Sequence, residues 1–352
     1  MKPPSKIAWV VLCSIAVIAL LIGLVVPVVV RQVGSFLTQS AEARAVPLQE
    51  HVFPETRRWL NDVPQGTQVC NGVTFLCQGA IRTAGLRAAR DGKQYPGAVW
   101  DVPVQRRGSR IHLLQAAENS GGMADDAPYL RLRLHYANGE ARHFDLLYSV
   151  HGREWFQNLK DPRVDDSLGD PNTLVGFEGP RKQGNLSLRL YHTTLENPLP
   201  RVEIVSADFI SPIGVANPLV FGMAIDDDPR PLRPVPSAPE SSSNQLTCVT
   251  VKLRDSAGHP VKEGTLSWVV STTWRPPGRT YRVEFPQTSA DAQGQVLIDV
   301  PSHFVGQIWY HATAADGLAK EGTVLPDERG AFPAATNITL TAAGTASTSP
   351  PQ

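Results

Sequence analysis

An all-β chain of two sandwiches behind a membrane-spanning helix is the architecture this sequence predicts, and three observations carry it. Short β-type runs separated by turns recur from Val63 onward, several of them alternating apolar and polar residues at period 2. Thirty prolines and twenty-eight glycines break the chain too often for long helices. One stretch near the start, Ile7 to Val30, is almost wholly apolar and carries no charge.

That first element reads IAWVVLCSIAVIALLIGLVVPVVV, twenty-four residues without a charge. A bilayer core needs about 20 apolar residues in a helix, so residues 7–30 are long enough to span with some tilt. The apolar part of a cleaved signal is shorter, about 7–15 residues. Residues 1–6 then form a short cytoplasmic tail. Lys2 and Lys6 precede the helix while Arg31 and Arg44 follow it, so flanking charge alone ties. The short tail and the β-rich body favour the N-terminus inside, with the body periplasmic or extracellular. Residues 31–60 are mixed and moderately polar, which suits a stalk.

From 61 to 228 the chain reads as one sandwich. Tyr129-Leu-Arg-Leu-Arg-Leu-His135 alternates as a half-buried strand does, and Asn138-Gly139 is a hairpin signal before the run His143–Leu147. Val73–Phe75, Arg110–Leu114, Leu186–Leu190 and Arg201–Val205 supply further strands. Residues 229–245 are rich in proline and serine, an extended linker that cannot donate to a sheet ladder. A second β unit occupies 246–341, with strand runs Val249–Leu253, Gln295–Val300 and Ile308–Ala312. Two Asp-x-x-Gly turns, at Asp255–Gly258 and Asp291–Gly294, punctuate it. The tail 342–352 has the composition of a disordered segment.

Five phrases in the first unit, in order, are VPQGTQVCNGVTF (63–75), GSRIHLLQAAE (108–118), LRLHYANGEARHFDL (132–146), EWF (154–156) and LENPLPRVEIVSADFIS (195–211). Together they resemble the galactose-binding-like jelly-roll domains of the carbohydrate-binding module type found on secreted bacterial glycosidases and surface proteins. The resemblance covers just under half the chain and implies a jelly-roll fold, a glycan ligand and, in some relatives, a structural calcium. In the second unit, LRDSAGHPV (253–261) and TSADAQGQVLIDVP (288–301) resemble carboxypeptidase-regulatory-like or bacterial immunoglobulin-like domains. That likeness implies an immunoglobulin- or prealbumin-like spacer without chemistry.

Formal net charge is zero, so no global field recruits nucleic acid. Four cysteines occur, of which Cys13 lies in the apolar run. Cys70 and Cys77 are near enough in sequence to pair in an oxidising compartment, yet two such cysteines can equally face different ways. Cys248 has no partner and reads as a buried small hydrophobe. His135, His143 and His151 recur at eight-residue spacing, which matches no zinc motif, so ordinary strand histidines are expected. The acidic run Asp226–Asp228 and the group Asp161, Asp165, Asp166 and Asp170 read as solvated charge rather than a calcium shell.

No G-x-S-x-G, H-E-x-x-H or P-loop is present. Glu154, Glu178 and Glu196 offer carboxylates, but sequence places no pair at a catalytic separation. The expectation is therefore a non-enzyme without a cofactor. Sugar recognition needs exposed aromatic faces with polar neighbours. Trp155, Phe156 and Tyr129 are the aromatic candidates, with Arg142 and Asn158 for hydroxyls, and Trp100 reads as core. The partners expected are the membrane, through residues 7–30, and a polysaccharide or an envelope protein.

Overall fold

A computed structural model of the chain describes residues 43–48, 62–158, 168–179, 186–228, 230–234, 246–273, 280–301, 306–326 and 332–342. The expected membrane helix 7–30, its tail, the C-terminal segment beyond 342 and most of the stalk and linker lie outside the described residues. Among the described residues no helix is long and apolar enough to cross a membrane.

The described part is an all-β, sandwich-type fold. Its first strands are β1 (Arg44–Val46), β2 (Gly66–Cys70), β3 (Val73–Cys77), β4 (Ile81–Arg82), β5 (Ala98–Arg106), β6 (Arg110–Glu118) and β7 (Pro128–Tyr136). They continue as β8 (Ala141–Leu147), β9 (Phe156–Asn158), β10 (Thr173–Glu178), β11 (Leu186–Glu196), β12 (Ile204–Ile210) and β13 (Asn217–Asp226). A short helix, α1 (Leu86–Arg90), interrupts them. One sheet runs β1-β13-β6-β11-β10, with β4 beside β13 and β9 beside β11. The facing sheet runs β5-β12-β7-β8. Leu130, Leu132, Leu134 and Tyr136 of β7 fill the space between them with Leu113, Ile111 and Phe209. The β2–β3 hairpin covers the other face of the larger sheet, where Phe75, Leu114, Leu190 and Phe221 form a second apolar layer.

The second unit contains β14 (Leu246–Arg254), β15 (Thr265–Thr273), β16 (Thr280–Ser289), β17 (Gln295–Pro301), β18 (Gly306–Thr313), β19 (Leu318–Val324), β20 (Ala335–Thr339) and β21 (Thr341–Ala342). A three-stranded sheet, β17-β14-β20, faces a five-stranded one, β16-β15-β18-β19-β21. β14 and β20 pair in parallel. The two Asp-x-x-Gly turns form as read. Asp255 Oδ1 accepts the N–H of Ala257 and of His259, and Asp291 Oδ1 accepts those of Gln293 and Gln295. Gly294 has φ of +69°, and a Cβ there would stand 2.8 Å from the Leu253 carbonyl oxygen, so only glycine closes that turn without strain.

The structure departs from the sequence reading in five places. Arg44–Val46, placed in the stalk, pairs antiparallel with β13 and buries Val46, because the apolar Val46 and Leu48 have a core to enter. The start of the expected linker is held on the body: the Arg233 N–H donates to Asn172 Oδ1, and Asn172 Nδ2 donates back to the Arg233 carbonyl. Cys248 is exposed rather than buried, since Val249, Val251 and Leu253 take the core-facing positions of β14. The strand expected at 201–205 begins at Ile204, because Asn197 and Leu199 hold the preceding turn.

The largest departure concerns β7. Its alternation predicts one solvated face, yet Arg131 and Arg133 are 3% and 7% exposed. Both reach Asp299 of β17, whose side chain is fully buried. Arg131 Nη1 donates to Asp299 Oδ1 at 2.6 Å, and Arg133 Nη2 donates to the other oxygen. Arg131 also holds Asp145 with Nε at 2.7 Å and Nη2 at 2.8 Å. Beside this network the two sandwiches share apolar core. Ala98, Ile210 and Ile213 cluster with Trp268 and Phe285, and Trp100 lies 5.6 Å from the Trp268 ring. Trp100, read as core, is half-buried at the margin of this cluster, with its Nε1 donating to the Pro286 carbonyl at 3.0 Å. The Gly97 N–H reaches the Glu284 carbonyl at 2.6 Å, and a Cβ on Gly97 would enter the Phe285 ring.

Removing one partner of a buried ion pair leaves the others charged and unpaired, which costs about 3–5 kcal/mol. Asp299→Ala is expected to lower stability by that order in urea unfolding. Arg142→Ala, which breaks only an exposed pair with Glu140, should stay within about 0.5 kcal/mol.

Candidate functional site

The residues singled out for ligand contact scatter when placed in the fold. Tyr129 is fully buried, and its hydroxyl donates to Gln115 Oε1 inside the first sandwich. Trp155 is 4% exposed. Its backbone N–H donates to the Ala117 carbonyl at 2.8 Å, and its ring meets Phe156 edge-on at 5.2 Å and stacks against Phe221 at 6.4 Å. Neither can offer a face to a sugar. Arg142 sits on β8, exposed and paired with Glu140, away from the other candidates. Phe156 and Asn158 do come together, two residues apart on β9, so they share a face while Gln157 between them turns inward to Tyr191.

Phe156 and Asn158 line an open cleft of about 860 Å³. Asn119, Ser120 and Gly121 after β6, and Tyr148 and Ser149 after β8, line it as well. Arg87 of α1, Arg153, Glu154 and Asp125 complete it. Glu154 Oε2 accepts the Ser120 N–H at 2.7 Å and the Ser120 hydroxyl at 2.9 Å. Burial pushes the Glu154 carboxyl above the usual carboxylate range, although the Ser120 hydrogen bonds oppose the shift. The Ser149 hydroxyl donates to Asp125. The cleft thus combines two half-buried aromatic rings, Phe156 and Tyr148, with donors and acceptors of both charges. Sequence reasoning found Phe156, Asn158 and, as a bare carboxylate, Glu154. Arg87, Asn119 and Ser149 carried no local signal, since loops distant along the chain bring them together.

The histidines of the eight-residue spacing do not converge. His135 bonds Asp208, His143 is exposed on β8, and His151 accepts the Leu147 N–H through Nδ1 at 2.9 Å. Asp101, His135 and Asp208 each present one ligand atom within 4.8 Å of the others. The pair His135 Nε2 to Asp208 Oδ2 is 2.7 Å, and Arg133 Nη1 stands 3.9 Å from the same oxygen. Burial would lower the His135 pKa, but hydrogen bonding to Asp208 and its charge, with Asp101, outweigh it and raise the imidazole above its ordinary value. His135 and Arg133 therefore already meet Asp208.

The acidic run at 226–228 is engaged in the same way. Asp228 binds Arg110 and Arg230, and their contacts hold its carboxyl down at about 2. Asp226 binds His112 Nε2 at 3.0 Å. Asp226 and Asp228, read as solvated charge, are buried and paired instead, while Asp227 between them is exposed as read. Asp170 is buried, accepting Asn172 and Thr173; Asp161, Asp165 and Asp166 lie outside the described residues. The Cys70–Cys77 pairing is not made. The hairpin register sets Cys70 opposite Val73 and Cys77 opposite Gly66, so the thiols sit at different ends of the ladder and both are buried and free.

One buried line of groups mimics a catalytic triad. Asp226 contacts His112 Nε2, and His112 Nδ1 lies 3.0 Å from His192 Nε2 and 3.2 Å from Thr194 Oγ1. The order is acid, base, hydroxyl. Access is wanting: His112 and His192 are 3% and 4% exposed, and the Phe75 ring of the covering hairpin meets His192 edge-on at 5.3 Å. Burial, then the His112 charge, hold the His192 pKa down to about 3. A histidine kept neutral in the fold protonates first in the unfolded chain. Stability is therefore lost as pH falls from about 6.5 toward 3, by up to about 1.4 kcal/mol per unit. Urea unfolding from pH 7 to 4 should show His192→Gln less stable at pH 7 but with a flatter pH dependence than the native chain.

No family model and no curated protein matches the chain. Among solved structures, the crystal structure of the group B streptococcus pilus 2b backbone protein aligns over 79% of this chain and 95% of its own. Identity is 9% and the TM-score 0.20, a likeness too slight to carry any argument about this chain.

Proposed function

We propose that this is a non-catalytic display protein, held at a membrane by the apolar run 7–30, whose cleft beside Phe156 binds glycan at the outside of a bacterial envelope. The observation that carries the reading is the composition of that cleft. The Phe156 ring on β9 lines it together with Asn119, Asn158, Asp125 and Arg153, the mixture of apolar surface and two-sided hydrogen bonding that a polyhydroxylated ligand uses. The first sandwich fits a galactose-binding-like jelly roll in that successive strands β5, β6 and β7 alternate between its two sheets, as do β11, β12 and β13. The second fits an immunoglobulin- or prealbumin-like spacer, with its eight strands in two small sheets.

A second reading, a structural or protein-interaction module of the envelope, is favoured by a different observation. The shared core and the buried Asp299 join the two sandwiches in a way that a free binding domain does not need.

Affinity electrophoresis of the full chain through a panel of polysaccharides, in sugar-free detergent, separates the two. Glycan binding predicts retardation by at least one polymer, weakened about ten-fold in Phe156→Ala, the loss expected for one aromatic contact. Mobility unchanged by every polymer, for native and variant alike, leaves the structural reading.

A further inference from the structure

Arg87 is the cationic group of the cleft whose chemistry is unspent. It is the second residue of α1, and its backbone N–H reaches the Val215 carbonyl at 3.4 Å. Its guanidinium lies against Gly121: a Cβ on that glycine would stand 3.3 Å from Nη1, so the missing side chain lets the fork rest close over the loop. Among the described residues the Arg87 guanidinium has no hydrogen-bond or ion-pair partner. The neighbouring carboxylates are committed elsewhere, Glu154 to Ser120 and Asp125 to Ser149. Glu118, beside the loop, is held by Arg82 at 3.2 Å and by Asn217 at 3.0 Å.

A planar fork of five N–H donors, open on its cleft side, is built for a carboxylate received at two points. Phe156 and Asn158 lie in the same cleft, where a ring face and hydroxyls can be met. We infer that the ligand of this cleft is an acidic glycan, with a uronic-acid carboxylate held by Arg87 and the sugar ring against Phe156. The inference rests on the glycan-binding reading above and narrows it to one class.

The test uses the full chain in sugar-free nonionic detergent, run against polygalacturonate and alginate. Each polymer is paired with its carboxyl-reduced, neutral counterpart, and poly-glutamate serves as a polyanion without sugar. The expected result is retention by at least one of the acidic glycans, with affinity for its reduced counterpart lower by ten-fold or more. Poly-glutamate should retain the chain no better than that reduced counterpart does. Arg87→Ala should lose about ten-fold toward the acidic glycan and nothing toward the reduced one, while Arg87→Lys, keeping charge without the fork, should recover only part. A far-ultraviolet spectrum and urea midpoint matching the native chain show that the variant is folded; Arg87→Gln serves if Arg87→Ala is not. Equal retention by acidic and reduced polymers overturns the acidic class while leaving glycan binding standing. Equal retention by poly-glutamate overturns it as mere charge attraction. Retention by none of the four polysaccharides overturns it as well, and if the wider panel also fails, the glycan reading falls with it.

Discussion

The carboxylate of Asp299 is the point on which the two sandwiches depend. Each of its oxygens takes a different arginine from β7, and its side chain sees no solvent. Two guanidinium groups and one carboxylate buried together are costly to desolvate, and the geometry answers that cost with Asp145 on Arg131 and Asp208 near Arg133. The consequence is directional. Charges buried this way tolerate few arrangements, and the contact of Trp100 with Trp268 and Phe285 packs beside them. The ion pairs set the register of one sandwich on the other, and the aromatic cluster supplies the buried area.

That arrangement also decides which surfaces remain for ligands. The outward face of β7 and β12 is taken up by the second sandwich and by the Asp101, His135 and Asp208 group. The hairpin β2–β3 covers the far face of the larger sheet and seals the Asp226–His112–His192 line. Among the described residues of the first sandwich, the loops after β6 and β8, with β9, leave an open concavity with both polar and aromatic lining. The open concavity falls to loops and a short edge strand because the central strands of both sheets are covered on both faces.

Much of the fold was legible in the sequence, and the failures have physical causes. Alternation located β7, β11 and β14, and the Asp-x-x-Gly and Asn-Gly turns fell where their backbone needs place them. Strand β13, NPLVFGMAID, is buried along its whole length and so has no period to read. Leu-Arg-Leu-Arg-Leu gave the right strand and the wrong environment, because pattern separates apolar from charged but not solvated charge from paired charge. The partner, Asp299, lies 168 residues from Arg131 in an unremarkable strand. In the site, Phe156 and Asn158 were found because they are neighbours on one short strand. Trp155 and Tyr129 were misplaced since an aromatic beside polar residues reads alike whether it faces the core or the solvent. Arg87 was invisible, standing against Gly121 only after the chain has folded.

The claim that the two sandwiches unfold as one body through Asp299 is met most directly by native-state hydrogen exchange. Amides of β7, such as Leu132, and of β14, such as Val251, are to be followed through a series of low urea concentrations. A single cooperative body gives both strands the same opening free energy and the same urea slope. A lower free energy and a smaller slope for Val251, with Leu132 still protected, would show the second sandwich opening alone and contradict the account.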